Sequence, residues 1–399
     1  MGHELGTRAL WWHELADADR AALDPGLPVD LDRRPDLLVI GGGIVGLTVA
    51  VYCRRLGIDR ILVIDGRRLT AGATGGTGGA LAPELHQTSD PPWFVAHARR
   101  SLALYASLDD AWRGALGLHW GPRLVLSLDP EPTSTDRWDD RVEHLTSEQV
   151  TEFFPQLTYD SAGVLASNQG QAQPLRLAAA LARHAGTIAT GVTAVGFESA
   201  GGRTVRVHTS VGTLHPGAVV VATGSIAGPS APVVQRRVKG HLLATGPLPF
   251  PLPCGIHADG LGFGPLPGGR MLAGGTRDDS DTPHVEPAVV GRIRAHVRRI
   301  VPDLGDVAVT HTWCCFRPTT ADGMPVIDRL RGADNAWMSI GHGGTGILMA
   351  PVLGQALASW ITGGRRPAVL DPYALTMAQR ISRATPMIRR SRGSSPSCC

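Results

Sequence analysis

The stretch Thr310 to Leu330, THTWCCFRPTTADGMPVIDRL, places two adjacent thiols beside an Arg-Pro step. A guanidinium offers paired donors to a carboxylate, and a thiolate is a nucleophile. Cys314 and Cys315 are a poor structural bridge, because a disulfide between neighbours would strain the peptide that joins them. What the thiols do beside Arg317 depends on the elements that position them.

A second set of residues has the spacing of a phosphate-binding turn. Gly41 to Gly46 contains G-x-G-x-x-G, follows the apolar run DLLVI, and opens a segment of helical spacing at Ile44. In such a turn Gly41 permits the tight bend, Gly43 lets the backbone reach a pyrophosphate, and Gly46 lets the helix pack on the strand. Asp65 ends the next buried run and would accept a hydrogen bond from a ribose. This context favours a dinucleotide site over a chance glycine cluster.

Two arginines follow Asp65 directly. Arg67 and Arg68 could bind a 2′-phosphate, so this unit alone leaves NADP open. The alternative is a pair of solvated arginines, which the sequence favours.

Composition excludes several classes of protein. The 399 residues are 43% hydrophobic and 18% charged, with a net charge of +3, which is typical of a globular protein and gives no basis for a nucleic-acid partner. The six cysteines form no CxxC pair, and the histidines have no metal-ligand spacing. No run reaches about 18 apolar residues, so we expect no membrane span and a soluble cytoplasmic protein. Residues 376–399 are expected to be a polar, mobile tail.

The hydrophobic pattern predicts alternating strands and helices. Buried strands flank the glycine turn, alternating strands are expected between Val192 and Val221, and a β-meander between Val238 and Gly275. Helices are predicted at Trp11–Ala22, Ile44–Leu56, Pro92–Leu118, Leu175–His184 and Pro287–Ile300, and NAWMSIGHGGTGILMAPVLGQALASWITGG predicts a further strand, glycine turn and long helix.

With the C-terminal segments added, the sequence resembles the FAD-dependent superfamily of D-amino-acid, glycine and sarcosine oxidases. Five blocks in the family's order carry the resemblance, between about residues 36 and 373: VIGGGIVGLTVA with Asp65, GATGGTGGAL, VVVATGS, WCCFRPTTADGMPVID and IGHGGTGILMAPVLGQALASWITG. The lead-in LWWHEL is most similar to the amine- and glutamylputrescine-oxidase branch.

The resemblance implies an α/β fold. A Rossmann-like FAD-binding domain would be joined by a second α+β substrate domain built on a large antiparallel sheet. We expect a lead-in over 1–35, with 36–90, 145–230 and 326–375 in the FAD-binding domain. Residues 91–144 and 231–325 would form the substrate domain.

The resemblance also implies which residues hold FAD, rather than NAD. The expected set has four parts. They are Gly41, Gly43, Ile44, Gly46, Asp65 and Gly66 on the adenosine and pyrophosphate; Ala73, Thr74, Gly78, Gly79 and Ala80 along the flavin; Val192 at the adenine, with Ala222 and Gly224 closing the site; and Gly341, His342, Gly343, Gly344, Thr345 and Gly346 near the pyrimidine ring.

Two departures from the family pattern matter. Gly76 and Thr77 stand where many members have Arg-Asn, so a polar contact to the flavin is expected to be missing. The monomeric sarcosine oxidases hold the substrate carboxylate with an Arg in the second block and a Lys in the fifth. Both are absent here, and the fifth block has Thr345.

The implied function is oxidation of a C–N bond of an amino acid or secondary amine, with a hydride equivalent passing to flavin N5. The product is an imine that water hydrolyses, and oxygen or an electron carrier re-oxidises the flavin. Arg317 is the candidate catalytic residue, as anchor of the substrate carboxylate; the alternative is a structural arginine paired with Asp322 or Asp328. His342 is considered as a base, but its turn serves the flavin through its backbone in the family. A flavin monooxygenase and a non-catalytic or assembly flavoprotein stay open as alternatives.

Three interpretations of Cys315 remain. Its spacing to Asp322 matches the cysteine that sarcosine oxidases bond to the flavin 8α carbon, so a thioether to FAD is one. A buried thiol that packs as a small apolar group is another. The third is a disulfide with Cys314, which otherwise faces the opposite side of the strand because neighbours alternate.

Overall fold

The computed structural model describes residues 9–126, 138–225 and 236–375 of the chain. Nine α-helices occur in these ranges: α1 Leu10–His13, α2 Asp17–Leu23, α3 Ile44–Arg55, α4 Ala73–Gly76, α5 Pro92–Ala111, α6 Ser147–Phe153, α7 Pro174–His184, α8 Pro287–Ile300 and α9 Gly346–Gly363.

Eighteen strands occur in the same described ranges. They are β1 Leu37–Ile40, β2 Ile61–Asp65, β3 Ala80–Leu81, β4 Leu118–Leu126, β5 Glu143–Leu145, β6 Gly163–Ala172, β7 Thr187–Thr190, β8 Ala194–Ala200, β9 Arg203–Thr209, β10 Gly212–Leu214, β11 Ala218–Val221, β12 Arg236–Thr245, β13 Gly255–Ala258, β14 Leu261–Leu266, β15 Arg270–Gly274, β16 Val309–Thr319, β17 Val326–Arg329 and β18 Ala336–Ile340.

The first sheet has the order β17-β18-β11-β1-β2-β7. All neighbouring pairs are parallel except β17 with β18 at the edge. The strands β1, β11 and β18 are wholly or almost wholly buried, as expected for parallel strands covered on both faces. One face packs on α3, α7 and α9, and the other packs on the three-stranded sheet β10-β9-β8.

The second large sheet has nine strands, with β16-β12-β15-β14-β13-β4-β6-β3 in order and β5 also paired to β6. It is antiparallel apart from the β13–β4 pair. One of its faces packs on α6 and α8 through apolar residues such as Leu124, Leu243 and Ile256. The opposite face meets the loop that contains α4, so this sheet covers the first one.

The predicted elements correspond to the observed ones with two differences. The helix expected over Pro92–Leu118 ends at Ala111, because Arg113 and Gly114 adopt left-handed backbone conformations (φ 56° and 73°) that no α-helix continues. The single helix expected near Trp11–Ala22 is instead two short helices, α1 and α2. The expected tail, 376–399, and part of the lead-in lie outside the described residues.

The helix α9 is long and apolar enough to cross a membrane by length and composition. However, 67% of this 18-residue helix is buried inside the fold, where the helix packs against α3 and α5. Its apolar character is therefore explained by its place in the core.

The lead-in docks on the loop that follows β2. The indole nitrogen of Trp11 donates a hydrogen bond to the carbonyl of Thr77 at 2.7 Å, and its ring meets that of Trp313 edge to face at 6.0 Å. Trp11 is only 2% exposed. The first helix is thereby tied to both large sheets.

We expect Trp11→Phe to lower the free energy of unfolding by about 1–3 kcal/mol, because the carbonyl of Thr77 loses its buried donor while the aromatic packing is largely kept. Denaturant unfolding of the holoprotein measures this change. Trp120→Phe is the matched control, since its indole is 48% exposed and makes no hydrogen bond within the described part of the chain. Equal losses in the two variants would contradict the assignment.

Candidate active site

The carboxyl ends of the parallel strands bring most of the predicted cofactor residues to one edge of the sheet. Ligands of open parallel sheets bind at this edge. The residues that follow the strands are Gly41, Gly43, Ile44 and Gly46 after β1, Asp65 and Gly66 at the end of β2, Val192 after β7, Ala222 and Gly224 after β11, and Gly341, His342, Gly343, Gly344, Thr345 and Gly346 after β18.

The glycines of the first turn have different reasons to lack a side chain. A Cβ on Gly41, whose φ is +110°, would lie 2.4 Å from the carbonyl oxygen of Ala222, and one on Gly46 would lie 2.0 Å from that of Gly41. Both are required by contacts within the protein. A Cβ on Gly43 would meet only Thr74 Oγ1, at 3.3 Å. The open space at Gly43 faces away from the rest of the chain, as a cradle for a phosphate requires.

Asp65 stabilises the glycine turn. Its Oδ2 accepts a hydrogen bond from the amide of Gly42 and its Oδ1 from that of Arg67, both at 2.9 Å, and burial raises its pKa. The expectation of two solvated arginines is wrong for one of them. Arg68 is 5% exposed and lies over the ring of Trp12, 4.0 Å from its centroid.

Buried polar atoms without a partner border this edge. Within the described residues, Thr70 Oγ1, Thr223 Oγ1 and His342 Nδ1 are buried and make no hydrogen bond. Thr70 donates its amide to Gly42, and Thr223 directly follows Ala222, which touches Gly41. Native proteins leave few such atoms unsatisfied. A polar ligand along this edge would supply partners, so the residues present fit a dinucleotide such as FAD.

His342 is held neutral. Burial lowers its pKa to about 4, and its Nε2 lies 3.0 Å from the hydroxyl of Ser339. At pH 7 it carries no charge.

Four consecutive carbonyl groups of the loop 76–79 accept hydrogen bonds from other elements, and these bonds hold the loop in place. The carbonyl of Gly76 accepts from Trp313 Nε1 at 2.9 Å, and that of Thr77 from Trp11 Nε1 at 2.7 Å. The next two carbonyls, of Gly78 and Gly79, accept from Gln171 Nε2 at 3.1 Å and from the amide of Ala172 at 2.8 Å. A trans peptide group points its N–H opposite to its C=O. The N–H groups of Thr77 and Gly78 therefore point away from the two tryptophan donors, whereas the N–H of Gly79 donates to Thr77 Oγ1 at 3.3 Å.

The residues predicted to line the flavin lie in this loop and in the elements on either side of it: Ala73 and Thr74 in α4, Gly78 and Gly79 in the loop, and Ala80 at the start of β3. Thr74 Oγ1 accepts a hydrogen bond from the amide of Ile44 at 3.1 Å. This contact joins the loop to the first glycine turn.

Strand β16 supports the loop from below. Cys315 faces Gly76 so closely that a Cβ on Gly76 would lie 2.4 Å from Cys315 Cβ. Cys314 points to the other face, where its Sγ approaches the carbonyl oxygen of Pro283 at 3.5 Å. Both cysteines are free thiols, and burial raises the pKa of each.

Arg317 lies on the same face of β16 as Cys315. Its guanidinium covers Gly240, where a Cβ would be 2.5 Å from Nη1, and Nη1 donates to the carbonyl of Thr276 at 2.7 Å. The carboxylate of Asp328 pairs with Arg366, and that of Asp322 accepts from Thr320 and Met324.

Arg317 therefore has a neutral carbonyl, and no carboxylate, as its hydrogen-bond partner within the described residues. Burial lowers its pKa, although a guanidinium stays charged. The side chain is half-buried, and the Asp278 carboxylate acts on its charge without bonding to it. Desolvating a cation that has no bonded anion is costly. An anionic ligand would compensate this charge.

Sequence reasoning missed several residues that shape this site. Gly76 was interpreted only as a lost polar contact, although it provides the clearance for Cys315. Sequence reasoning also gave no role to Gly240, which the Arg317 guanidinium covers, or to Thr276, whose carbonyl accepts its hydrogen bond. A glycine inside a strand often marks a close approach, so Gly240 could have been found, whereas the carbonyl of Thr276 leaves no trace in its side chain.

The fold, with its two large sheets, and the glycine turn are those of a dinucleotide-binding protein. The family model described as FAD dependent oxidoreductase matches residues 36–360. The chain belongs to this family, and FAD is its cofactor.

Relatives agree in fold and in sequence. The bifunctional protein ThiO/ThiG of Trichormus variabilis is 26% identical over 378 residues, which cover 89% of this chain but 57% of that protein. Glycine oxidase of Bacillus licheniformis is 28% identical over 355 residues, 83% of this chain and 94% of that enzyme. The chain thus spans only about half the length of the bifunctional relative.

Solved structures show the same architecture. Glycine oxidase from Geobacillus kaustophilus superimposes with a TM-score of 0.79 at 24% identity, over 86% of this chain and 99% of that one. L-proline dehydrogenase from P. horikoshii has a TM-score of 0.75 at 23% identity, over 86% and 98%. The expected α/β fold, with a Rossmann-like domain and a second domain on a large sheet, is confirmed.

The contact between Gly76 and Cys315 gives a test of the loop. We expect Gly76→Ala to lower the free energy of unfolding by about 1–3 kcal/mol, because the new methyl group overlaps Cys315 and the loop carbonyls prevent a shift. Cys315→Gly removes the overlapping atoms. In a double-mutant cycle the pair should show a favourable coupling of about 1 kcal/mol or more.

Gly72→Ala is the control in the same loop, since its Cβ would lie 4.0 Å from the nearest atom, Arg67 Nη2. Simple additivity of Gly76→Ala and Cys315→Gly would show that the two residues do not constrain each other.

Proposed function

We propose that the protein oxidises a C–N bond of an amino acid or secondary amine to an imine, with FAD as cofactor. The observation that carries the proposal is Arg317. It is a half-buried guanidinium without a carboxylate partner among the described residues, on the strand that also supports the loop 76–79. A cation in this position suits a substrate that carries its own carboxylate.

In this proposal Arg317 anchors the substrate carboxylate as a two-pronged donor. The Thr276 carbonyl holds one edge of the guanidinium, and Gly240 lets it lie flat on the sheet. The anchored carboxylate fixes the neighbouring carbon and nitrogen in one orientation. Orientation of this kind is the main contribution that a protein makes to a reaction whose hard step belongs to a cofactor.

FAD, when bound, supplies the acceptor for the hydride equivalent that leaves the carbon beside nitrogen. In the loop 76–79, the backbone N–H groups of Thr77 and Gly78 would meet it. His342, neutral at pH 7, would face it as a hydrogen-bonding group rather than as a charge. The imine product needs only water for hydrolysis.

The relatives support this class of reaction through their names, glycine oxidase and L-proline dehydrogenase. Both names denote oxidation of an amino acid. We propose further that oxygen or a small electron carrier re-oxidises the cofactor, that the protein acts in the cytoplasm, and that the chain divides into a discontinuous FAD-binding domain and a substrate domain.

The proposed cofactor residues are those gathered at the sheet edge and in the loop. We expect Gly43→Ala to fold normally but to bind FAD at least about tenfold more weakly, because its methyl group fills the space left for the pyrophosphate while touching only Thr74. FAD content after purification and the dissociation constant of the reconstituted apoprotein measure the effect.

Gly291→Ala, in α8 with open space around its Cβ, is the control for Gly43→Ala. Full FAD occupancy with unchanged affinity in Gly43→Ala would contradict the proposed cradle.

Acid precipitation of the wild type tests whether Cys315 is bonded to the flavin. Because burial disfavours the thiolate, we expect the flavin in the supernatant, and a yellow pellet that depends on Cys315 would instead establish a thioether.

Anaerobic reduction of the flavin by candidate substrates tests the function. We expect bleaching by at least one member of a panel of D-amino acids, glycine, N-methyl amino acids and polyamine derivatives. Arg317→Lys should weaken the apparent affinity for carboxylate substrates about 10- to 100-fold, since lysine cannot offer paired donors. Arg236→Lys, at an exposed position of β12, is the control.

A panel in which only amines without a carboxylate bleach the flavin would contradict the role of Arg317. No bleaching by any amine would favour the non-catalytic flavoprotein, and oxidation of NAD(P)H with an aromatic substrate would favour a monooxygenase.

A further inference from the structure

A second arginine, Arg123, lies on the same face of the nine-stranded sheet as Arg317. Arg123 pairs in register with Gly255 on β13. Its neighbour Leu124 belongs to the core under α8, so Arg123 points to the opposite face. Arg317 covers Gly240, which also faces away from that core because Leu243, three residues further along β12, belongs to it.

The Arg123 guanidinium lacks a partner. Its Nε is buried without a hydrogen bond, and no ion pair or hydrogen bond reaches the group from any residue that the structure describes. Burial lowers its pKa. The side chain as a whole is half-buried, with its Nε enclosed. A partly desolvated cation without a carboxylate partner gains from an anionic ligand, and two such arginines lie on one face of this sheet.

Glycines form part of the floor, the sheet face between the two arginines, although Leu242 and Leu272 also project from it toward Gly78 of the loop. A Cβ on Gly255 would lie 3.1 Å from Arg123 Cζ, and one on Gly262 would lie 4.0 Å from its Nη1. Gly262 pairs in register with Gly274, and Gly274 pairs with Leu242. Leu242 lies two residues along β12 from Gly240, which the Arg317 guanidinium covers. From strand spacing and residue rise, the two guanidinium groups are separated by roughly 10–15 Å. A chain of several atoms can lie across this floor.

His257 borders the same floor. It stands opposite Gly262, and burial together with the nearby charge of Arg123 lowers its pKa to about 4. A neutral imidazole still offers an N–H donor. An anion seated on Arg123 would thus find a second donor at His257.

We propose that Arg123 forms a second anion subsite, which binds a carboxylate at the far end of a substrate whose first carboxylate is held by Arg317. The substrate class would be amino acids or N-substituted amino acids with a distal acidic group. This inference rests on the proposed function, because it extends the same substrate cavity.

Binding of simple dicarboxylates tests the subsite without turnover. The holoprotein is titrated with straight-chain dicarboxylates of four to eight carbons and with monocarboxylates of the same lengths, by calorimetry and by perturbation of the flavin spectrum. We expect one or more dicarboxylates to bind at least about tenfold more tightly than the monocarboxylate of equal length, as a charge-assisted hydrogen-bond pair requires.

Arg123→Gln should abolish this preference and leave monocarboxylate binding unchanged, whereas Arg317→Lys should weaken both ligand types. Arg203→Gln, on the small three-stranded sheet, is the control. A wild type without a dicarboxylate preference at any length, or an Arg123→Gln variant that retains it, would overturn the subsite.

Failure of the subsite and failure of the proposed function give different results. If a dicarboxylate preference depends on Arg123 but no amine bleaches the flavin, the subsite stands and the oxidase function is wrong. The opposite result is that amines bleach the flavin while the wild type shows no preference for glutamate-type over glutamine-type substrates, and Arg123→Gln shows none either. In that case the function stands and the subsite is wrong.

Discussion

Four consecutive carbonyl groups, from Gly76 to Gly79, determine how the six-stranded and the nine-stranded sheet meet. Their donors come from the lead-in helix, from β16 and from β6. Each bond alone contributes about 1 kcal/mol, but together they leave the loop one position. The loop also reaches the first glycine turn through Thr74. The adenosine end and the flavin end of the cofactor site are thereby placed relative to each other by short, buried contacts.

Strand β16 connects this loop to the proposed substrate site. Trp313, Cys315 and Arg317 alternate onto one face, so the residues that support the loop and the residue that carries the charge are held by the same backbone. Two arginines on this face have no carboxylate partner in the described chain, and glycines replace side chains beneath them. The sheet thus combines positive charge that has no bonded carboxylate with glycine positions beside it, an arrangement that suits an acidic small molecule.

Much of the first sheet could be predicted from the sequence. The apolar runs around Gly41, the glycine spacing and Asp65 specify a local βαβ unit, and the helix at Pro287–Ile300 follows from its amphipathic period. Local patterns cannot show contacts between distant segments. Gly76 and Cys315 are separated by more than half of the chain, and nothing in either residue type indicates that they touch.

The domain boundaries illustrate the same limit, and they stay a prediction. Within the range expected for the FAD-binding domain, β6 pairs with β4 in the nine-stranded sheet. Within the range expected for the substrate domain, α5 packs on α9 in the core of the first sheet. Strand and helix were identified from their periods, but the sheet or layer that each one joins is decided by tertiary packing.

The central claim is that Arg317 holds the substrate carboxylate above the loop 76–79. A crystal structure of the FAD-loaded protein with a carboxylate inhibitor, such as acetate or benzoate, measures this directly. The account predicts a carboxylate within hydrogen-bond distance of the Arg317 guanidinium, on the side not used by the carbonyl of Thr276. A carboxylate bound elsewhere at full occupancy, with Arg317 still bonded only to Thr276, would contradict it.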